Sequence, residues 1–173
     1  LALIVLGSFS KQAEAVDDSD GDGISNSKED ELASKYVPYL NFAAGEQFFP
    51  TKVEYHLNNA ALRLKTETGY NPVDDSPTAA EISTYSSEYY YLDNNLGGIQ
   101  EIADNYTQVK NTYGYIAYVH VTSDSEHFIV QYWFFYAFNA GHINQHEGDW
   151  EMIEIILNST SEEPLYTVYS QHF

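Results

Sequence analysis

The sequence predicts a mainly β protein, an antiparallel β-sandwich with one or two peripheral helices. Three observations predict it. Sixteen Tyr and nine Phe occur in 173 residues, and aromatic rings suit a pleated, half-buried surface. The last third carries four aromatic and β-branched runs at hairpin spacing. Within it, Phe128 to Phe135 is apolar on both faces, which demands cover on both sides and therefore a central strand.

The chain opens on an address. Leu1 to Leu6 is apolar, and Ala13-Glu14-Ala15 follows a short polar stretch. That is the h-region and small-x-small cleavage site of a signal peptide, so residues 1–15 read as a partial leader and the protein as secreted or cell-surface, most simply prokaryotic. No segment reaches the roughly 18 uncharged apolar residues of a membrane-spanning helix. The chain has 26 acids against 7 bases and a net charge of −19. Such a surface repels phosphate backbones, which excludes nucleic-acid binding by a basic face, and it favours cations. Zero Cys excludes disulfides, thiolate metal centres and a Cys nucleophile.

Residues 16–35 read as a calcium-binding loop with its exit helix. Asp18-Ser19-Asp20-Gly21-Asp22-Gly23-Ile24-Ser25-Asn26-Ser27-Lys28-Glu29 matches the twelve-residue EF-hand loop at each diagnostic position. Asp18, Asp20 and Asp22 supply carboxylates, and Gly23 permits the sharp turn. Ile24 offers its carbonyl, Asn26 sits where a water usually intervenes, and Glu29 can close the shell. Helix formers follow, with Leu32 and Tyr36 on one face. Little chain precedes the loop after cleavage, so it resembles the single motifs of dockerin and thrombospondin type 3 repeats. Extracellular sites of this kind bind at roughly 10⁻⁴ to 10⁻³ M and brace structure.

The rest, 36–173, reads as the sandwich. Ala61 to Lys65 and Tyr89 to Leu92 are strands, while 66–77, rich in Gly, Asn, Pro and Asp, reads as an exposed loop. Ile99, Ile102, Ala103, Tyr106 and Val109 recur at helical spacing. Tyr115 to Thr122 pairs with Phe128 to Phe138, and Trp150 to Leu157 with Tyr166 to Gln171.

A second cluster lies at Gly141 to Glu151. Asp149 and Glu151 stand two apart at a strand start, so both project from one face while Trp150 takes the other. A turn centred near residue 161 sets Glu151 opposite Gln171 and brings His172 beside the acid pair. His146, Asp149, Glu151 and His172 form a candidate site for a second divalent cation, magnesium or calcium, with zinc a poorer match. A hydrogen-bonded polar network and general acid–base chemistry by Asp149 or Glu151 stay open as alternatives. The H-E-x-x-H zinc motif is excluded, because Trp150 stands where its second His belongs.

Four motifs, in order, carry a resemblance. They are Tyr36-Val37-Pro38-Tyr39-Leu40-Asn41-Phe42 running on to the Glu46 to Leu57 stretch, Gln131 to Asn139, His146-Glu147-Gly148-Asp149-Trp150-Glu151, and Tyr169-Ser170-Gln171-His172. The chain resembles the vacuolar protein sorting-associated protein sixty-two family over about residues 36 to 173. Domains of that family continue past the last motif, so the chain reads as truncated at its C-terminus, as it does at its front, where the basic n-region and initiator Met of a leader are missing. A more distant likeness is to necrosis-inducing toxin-like proteins, β-sandwiches that hold a divalent cation. That likeness implies ligands at His146, Asp149 and Glu151, and near Asn139, where a neutral amide replaces an acid.

These readings converge on a secreted or cell-surface calcium-binding protein, expected to be a non-enzymatic, cation-assisted binding module for glycans or lipid headgroups. Tyr85, Tyr89, Tyr90 and Tyr91 support such ligands, since aromatic faces stack on sugars and sit at membrane interfaces. A metal-dependent hydrolase using His146, Asp149 and Glu151 is the first alternative. A structural module of a larger surface protein is the second. Composition leaves the oligomeric state undefined.

Overall fold

A computed structural model describes residues 17–141 and 144–170. The stretch 1–15 expected to be a leader, and His172 expected at the second cation site, lie outside the described residues. The architecture is mainly β, with two antiparallel sheets, as the aromatic runs require. The larger sheet holds β4 (Tyr118–Ser123), β5 (His127–Asn139), β6 (His146–Asn158) and β7 (Pro164–Tyr169), side by side in that order. β5 is interior to it, as its apolar run demands. It pairs with β6 from His127 opposite Asn158 to Asn139 opposite His146. β6 pairs Ile153 with Tyr169 of β7; the expected pairing of Glu151 with Gln171 falls outside the described residues.

The two faces of β5 are buried by different elements. Val130, Tyr132 and Phe134 alternate onto one face and pack with Val121, Leu157, Ile24 and Leu32. Leu32 belongs to α1 (Asn26–Lys35), whose N-cap Ser25 accepts from the Lys28 N–H at 3.2 Å. An acid in the first turn, Glu29, and a base in the last, Lys35, suit the helix dipole. The Tyr132 hydroxyl donates to the Ala33 carbonyl at 2.8 Å, tying helix to strand. Toward its C-terminal end, β5 presents Ala137 and Phe138 to Phe48, to Tyr55 of α2 (Glu54–Leu57), and to Ile102, Ala103 and Tyr106 of α4 (Ile99–Tyr113). The heptad-like spacing of α4 thus buries the expected stripe.

The smaller sheet places β1 (Ala60–Thr66) between β2 (Gly69–Asp74) and β3 (Tyr90–Asn94). β2 corrects the loop expectation for 66–77. Pro72, which cannot donate to a ladder, is tolerated there because β2 is an edge strand exposed along most of its length. One further turn of helix, α3 (Ala79–Ile82), is held by a capping box between Thr78 and Glu81. The two sheets are linked where the Asn94 N–H donates to Glu147 Oε2 at 2.6 Å. Among the described residues, no helix is long and apolar enough to cross a membrane.

Candidate cation and ligand sites

The N-terminal loop is built by its own hydrogen bonds. Asp18 accepts from the N–H groups of Gly21 at 2.8 Å and Gly23 at 3.0 Å, one to each carboxylate oxygen. Both glycines take positive φ, 78° and 95°, which L side chains rarely adopt. Asp22 accepts from the Ile24 N–H at 2.8 Å. The result is that one oxygen each of Asp18, Asp20 and Asp22 lie within 4.8 Å of one another. The Asp18 carboxyl is held below the usual carboxylate range, chiefly by the Gly21 N–H.

The other expected ligands stand as follows. Glu29 is outside the converged trio but feels it. Burial first, then the charges of Asp20, Asp22 and Asp18, push its carboxyl upward. Asn26 turns its Oδ1 to Ser19, accepting from the N–H at 3.0 Å and the hydroxyl at 3.1 Å. Ile24 sends its side chain into the sheet core, 5% exposed, so the loop is pinned at its centre. Three hard oxygens on a pinned turn fit a cation of calcium's type, which takes oxygen ligands only.

The second site lies where β5 and β6 meet the 42–48 loop. Asn139, Asp149 and Glu151 line a cleft of about 570 Å³ together with Phe42, Glu46, Tyr136 and Phe138. Asp149 and Glu151 do share a face, beside Tyr136 and Phe134 of the neighbouring strand. His146, three residues before Asp149, would point to the other face of a regular strand. Gly148 breaks the alternation with φ 64°, and His146 Nε2 comes within 3.0 Å of Asp149 Oδ1. Asn139 Nδ2 donates to the other oxygen at 3.4 Å. Asp149 is 8% exposed.

His146 is oriented from behind. Its Nδ1 lies 2.8 Å from the Asn144 carbonyl and its Nε2 3.0 Å from Asp149 Oδ1, and both oxygens only accept, so the arrangement suits an imidazolium that donates from both nitrogens. The Asn144 carbonyl, followed by Asp149 and the charge of Glu151, raises the imidazole's pKa against its partial burial. Glu151 accepts a short hydrogen bond from the Ser170 hydroxyl. Ser170 in turn accepts from the Met152 N–H at 2.9 Å, which locks β7 to β6 at this point. Among the described residues, Asp18, Asp20 and Asp22 are the group whose ligand atoms converge. Asn139, His146, Asp149 and Glu151 are brought to one end of the sheet without such convergence.

Sequence reasoning missed three contributors to this cleft. Glu46 and Phe42 sit on an irregular loop that no periodicity could dock against the sheet. Tyr136 was legible only as one aromatic among many. Its hydroxyl pKa is pushed up to about 12, by burial first and then by Glu151, Glu46 and Asp149. No protein-family model, curated protein or solved structure matches the chain.

Proposed function

We propose that this chain is a secreted or cell-surface, calcium-braced β domain that works as a non-enzymatic binding module for a glycan or lipid headgroup. The observation that carries the reading is the convergence of Asp18, Asp20 and Asp22 within 4.8 Å on a turn whose Ile24 is buried in the sheet core. Asp18, Asp20, Asp22 and the Ile24 carbonyl would hold calcium, with Glu29 adjoining. A cation there relieves the repulsion among three carboxylates and fixes the loop to the domain. The ligand surface in this reading is the cleft at Asp149 and Glu151. The motif resemblance to the vacuolar protein sorting-associated protein sixty-two family is part of the same proposal.

Binding is the preferred reading because, among the described residues, the converging carboxylates are those of the Asp18 loop, which suits a bracing calcium better than a metal-activated water. The test is thermal unfolding in chelator and in calcium. With a dissociation constant of roughly 10⁻⁴ to 10⁻³ M, 10 mM calcium adds about 1.4 to 2.7 kcal/mol by mass action. For a chain of this size that is a rise of about 3 to 11 °C. Equal melting with and without calcium would sink the brace.

A further inference from the structure

We propose that one face of the smaller sheet is a platform for a neutral oligosaccharide, its sugar rings stacked on Tyr70, Tyr89 and Tyr91 and its hydroxyls bonded by Lys65 and Glu88. This goes beyond the binding-module reading by placing a glycan on a second surface, apart from the Asp149 cleft, and it does not depend on the calcium brace. The groove these residues line has a volume of about 480 Å³, within the roughly 300–1,000 Å³ of small-molecule sites.

The strand register assembles the platform. Alternation along β1 puts Arg63 and Lys65 on one face. Lys65 stands opposite Tyr70 of β2, and Arg63 opposite Tyr91 of β3. Tyr89 extends the ladder just ahead of β3, its carbonyl accepting from the Lys65 N–H at 2.7 Å. Three rings from two outer strands thus gather over the central one, and Tyr70, Tyr89 and Tyr91 are 50%, 55% and 39% exposed. Tyr90 turns to the other face, where its ring meets that of Tyr85 at 4.7 Å. The platform is stiffened from below. Arg63, buried and paired with Asp75 at 2.8 Å, lies 5.4 Å from the centre of the Tyr70 ring.

The chemistry of the groove selects a sugar. A pyranose ring shows a face of C–H groups edged by hydroxyls, so it needs an aromatic plane and hydrogen-bonding groups around it. Among the described residues, the three tyrosine hydroxyls, Lys65 Nζ and the Glu88 carboxylate form no hydrogen bond within the chain. They stand ready at the groove. One base and one acid line it, so its formal charge balances in a chain of −19 overall. That balance suits a neutral ligand. A lipid surface fits less well, because embedding the rings would strip water from Lys65 and Glu88 without supplying partners.

Calorimetry of the full chain in saturating calcium tests this with cellohexaose, mannohexaose, xylohexaose and chitohexaose, with hexagalacturonate as the anionic probe. At least one neutral hexasaccharide should bind, and more tightly than hexagalacturonate. Tyr70→Ala and Tyr89→Ala should each weaken it about three- to ten-fold. Both side chains are half-exposed, so the variants should fold, and Tyr89→Phe, which keeps the ring, should retain most of the affinity. Tyr85→Ala, on the opposite face, and Glu151→Gln, in the Asp149 cleft, should leave it unchanged. Binding of none of the neutral probes, or affinity indifferent to both alanine variants, would overturn the proposal. So would equal losses in Tyr89→Phe and Tyr89→Ala, or tighter binding of hexagalacturonate. Sedimentation with phosphatidylcholine vesicles that is lost in Tyr89→Ala would instead make the face a membrane contact. A sugar affinity lost in Glu151→Gln but kept in both alanine variants would leave the binding-module reading standing and remove this platform. The calcium-dependent melting shift, read on the same samples, reports the brace separately.

Discussion

Replacing Ile24 by alanine separates the packing of the N-terminal loop from its chemistry. The side chain is 5% exposed and lies among Leu32, Val121, Val130, Tyr132, Phe134 and Leu157. Alanine keeps the backbone carbonyl, so the oxygens of the proposed calcium loop survive while the pin is lost. Ile→Ala at buried sites costs about 2–5 kcal/mol, and the spread follows how far the surroundings collapse. Ile24 sits on a loop at one face of the sheet, able to settle, so the lower half applies: about 2–3 kcal/mol. Ile24→Val should cost about 0.5–1.5 kcal/mol, giving a graded pair. Against a total of roughly 5–15 kcal/mol, the alanine loss is large. In urea, with a slope of about 2–3 kcal/mol per molar, the midpoint falls by about 1 M. The measurement is made in calcium and in chelator, and the calcium increment should persist in both variants. A loss below about 0.5 kcal/mol, the level of an ordinary surface change, would refute the claim that the loop is anchored in the core.

Three other outcomes follow from the same geometry. Gly148→Ala puts a side chain at φ 64° and a Cβ 3.3 Å from His56 Nε2; stability should fall by about 1–3 kcal/mol, measured by chemical unfolding. His56, 5% exposed, has its pKa lowered by burial, so the folded state holds it neutral while the unfolded chain protonates it near 6.5. Its contribution is therefore complete above about pH 6.5 and falls as pH drops below that, by at most about 1.4 kcal/mol per pH unit, until the folded pKa is passed; His56→Gln should remove that component of the pH–stability curve. Tyr136 should ionise near 12 in an absorbance titration referenced to Tyr136→Phe, and Glu151→Gln should lower that midpoint by removing a neighbouring negative charge.

Much of the larger sheet was legible in the sequence. β5 shows itself by an apolar run with no polar face, and β6–β7 by two runs whose turn near residue 161 sets the register found at Ile153 and Tyr169. α4 shows itself by Ile102, Ala103 and Tyr106, all buried as their spacing requires. β2 was illegible for a physical reason. Its residues face solvent and include Gly69, Asn71, Pro72 and Asp74, so neither alternation nor propensity marks it, and it is a strand because β1 offers it a ladder. The candidate sites divide the same way. The Asp18 loop is local, and twelve consecutive residues encode its turn and its three converging carboxylates. The cleft is not. Its wall comes from a loop a hundred residues away from Asp149, and His146 reaches Asp149 only through the left-handed turn at Gly148. Spacing rules that assume a regular strand miss such a contact.

The most direct test of the account is a calorimetric titration of the calcium-free chain with calcium, repeated on Asp18→Asn and Asp20→Asn. The account predicts one calcium per chain, bound in the range of roughly 10⁻⁴ to 10⁻³ M, with binding lost in both variants and unaltered in Glu151→Gln. No binding heat in the wild-type chain, or binding that survives both loop substitutions, would contradict it.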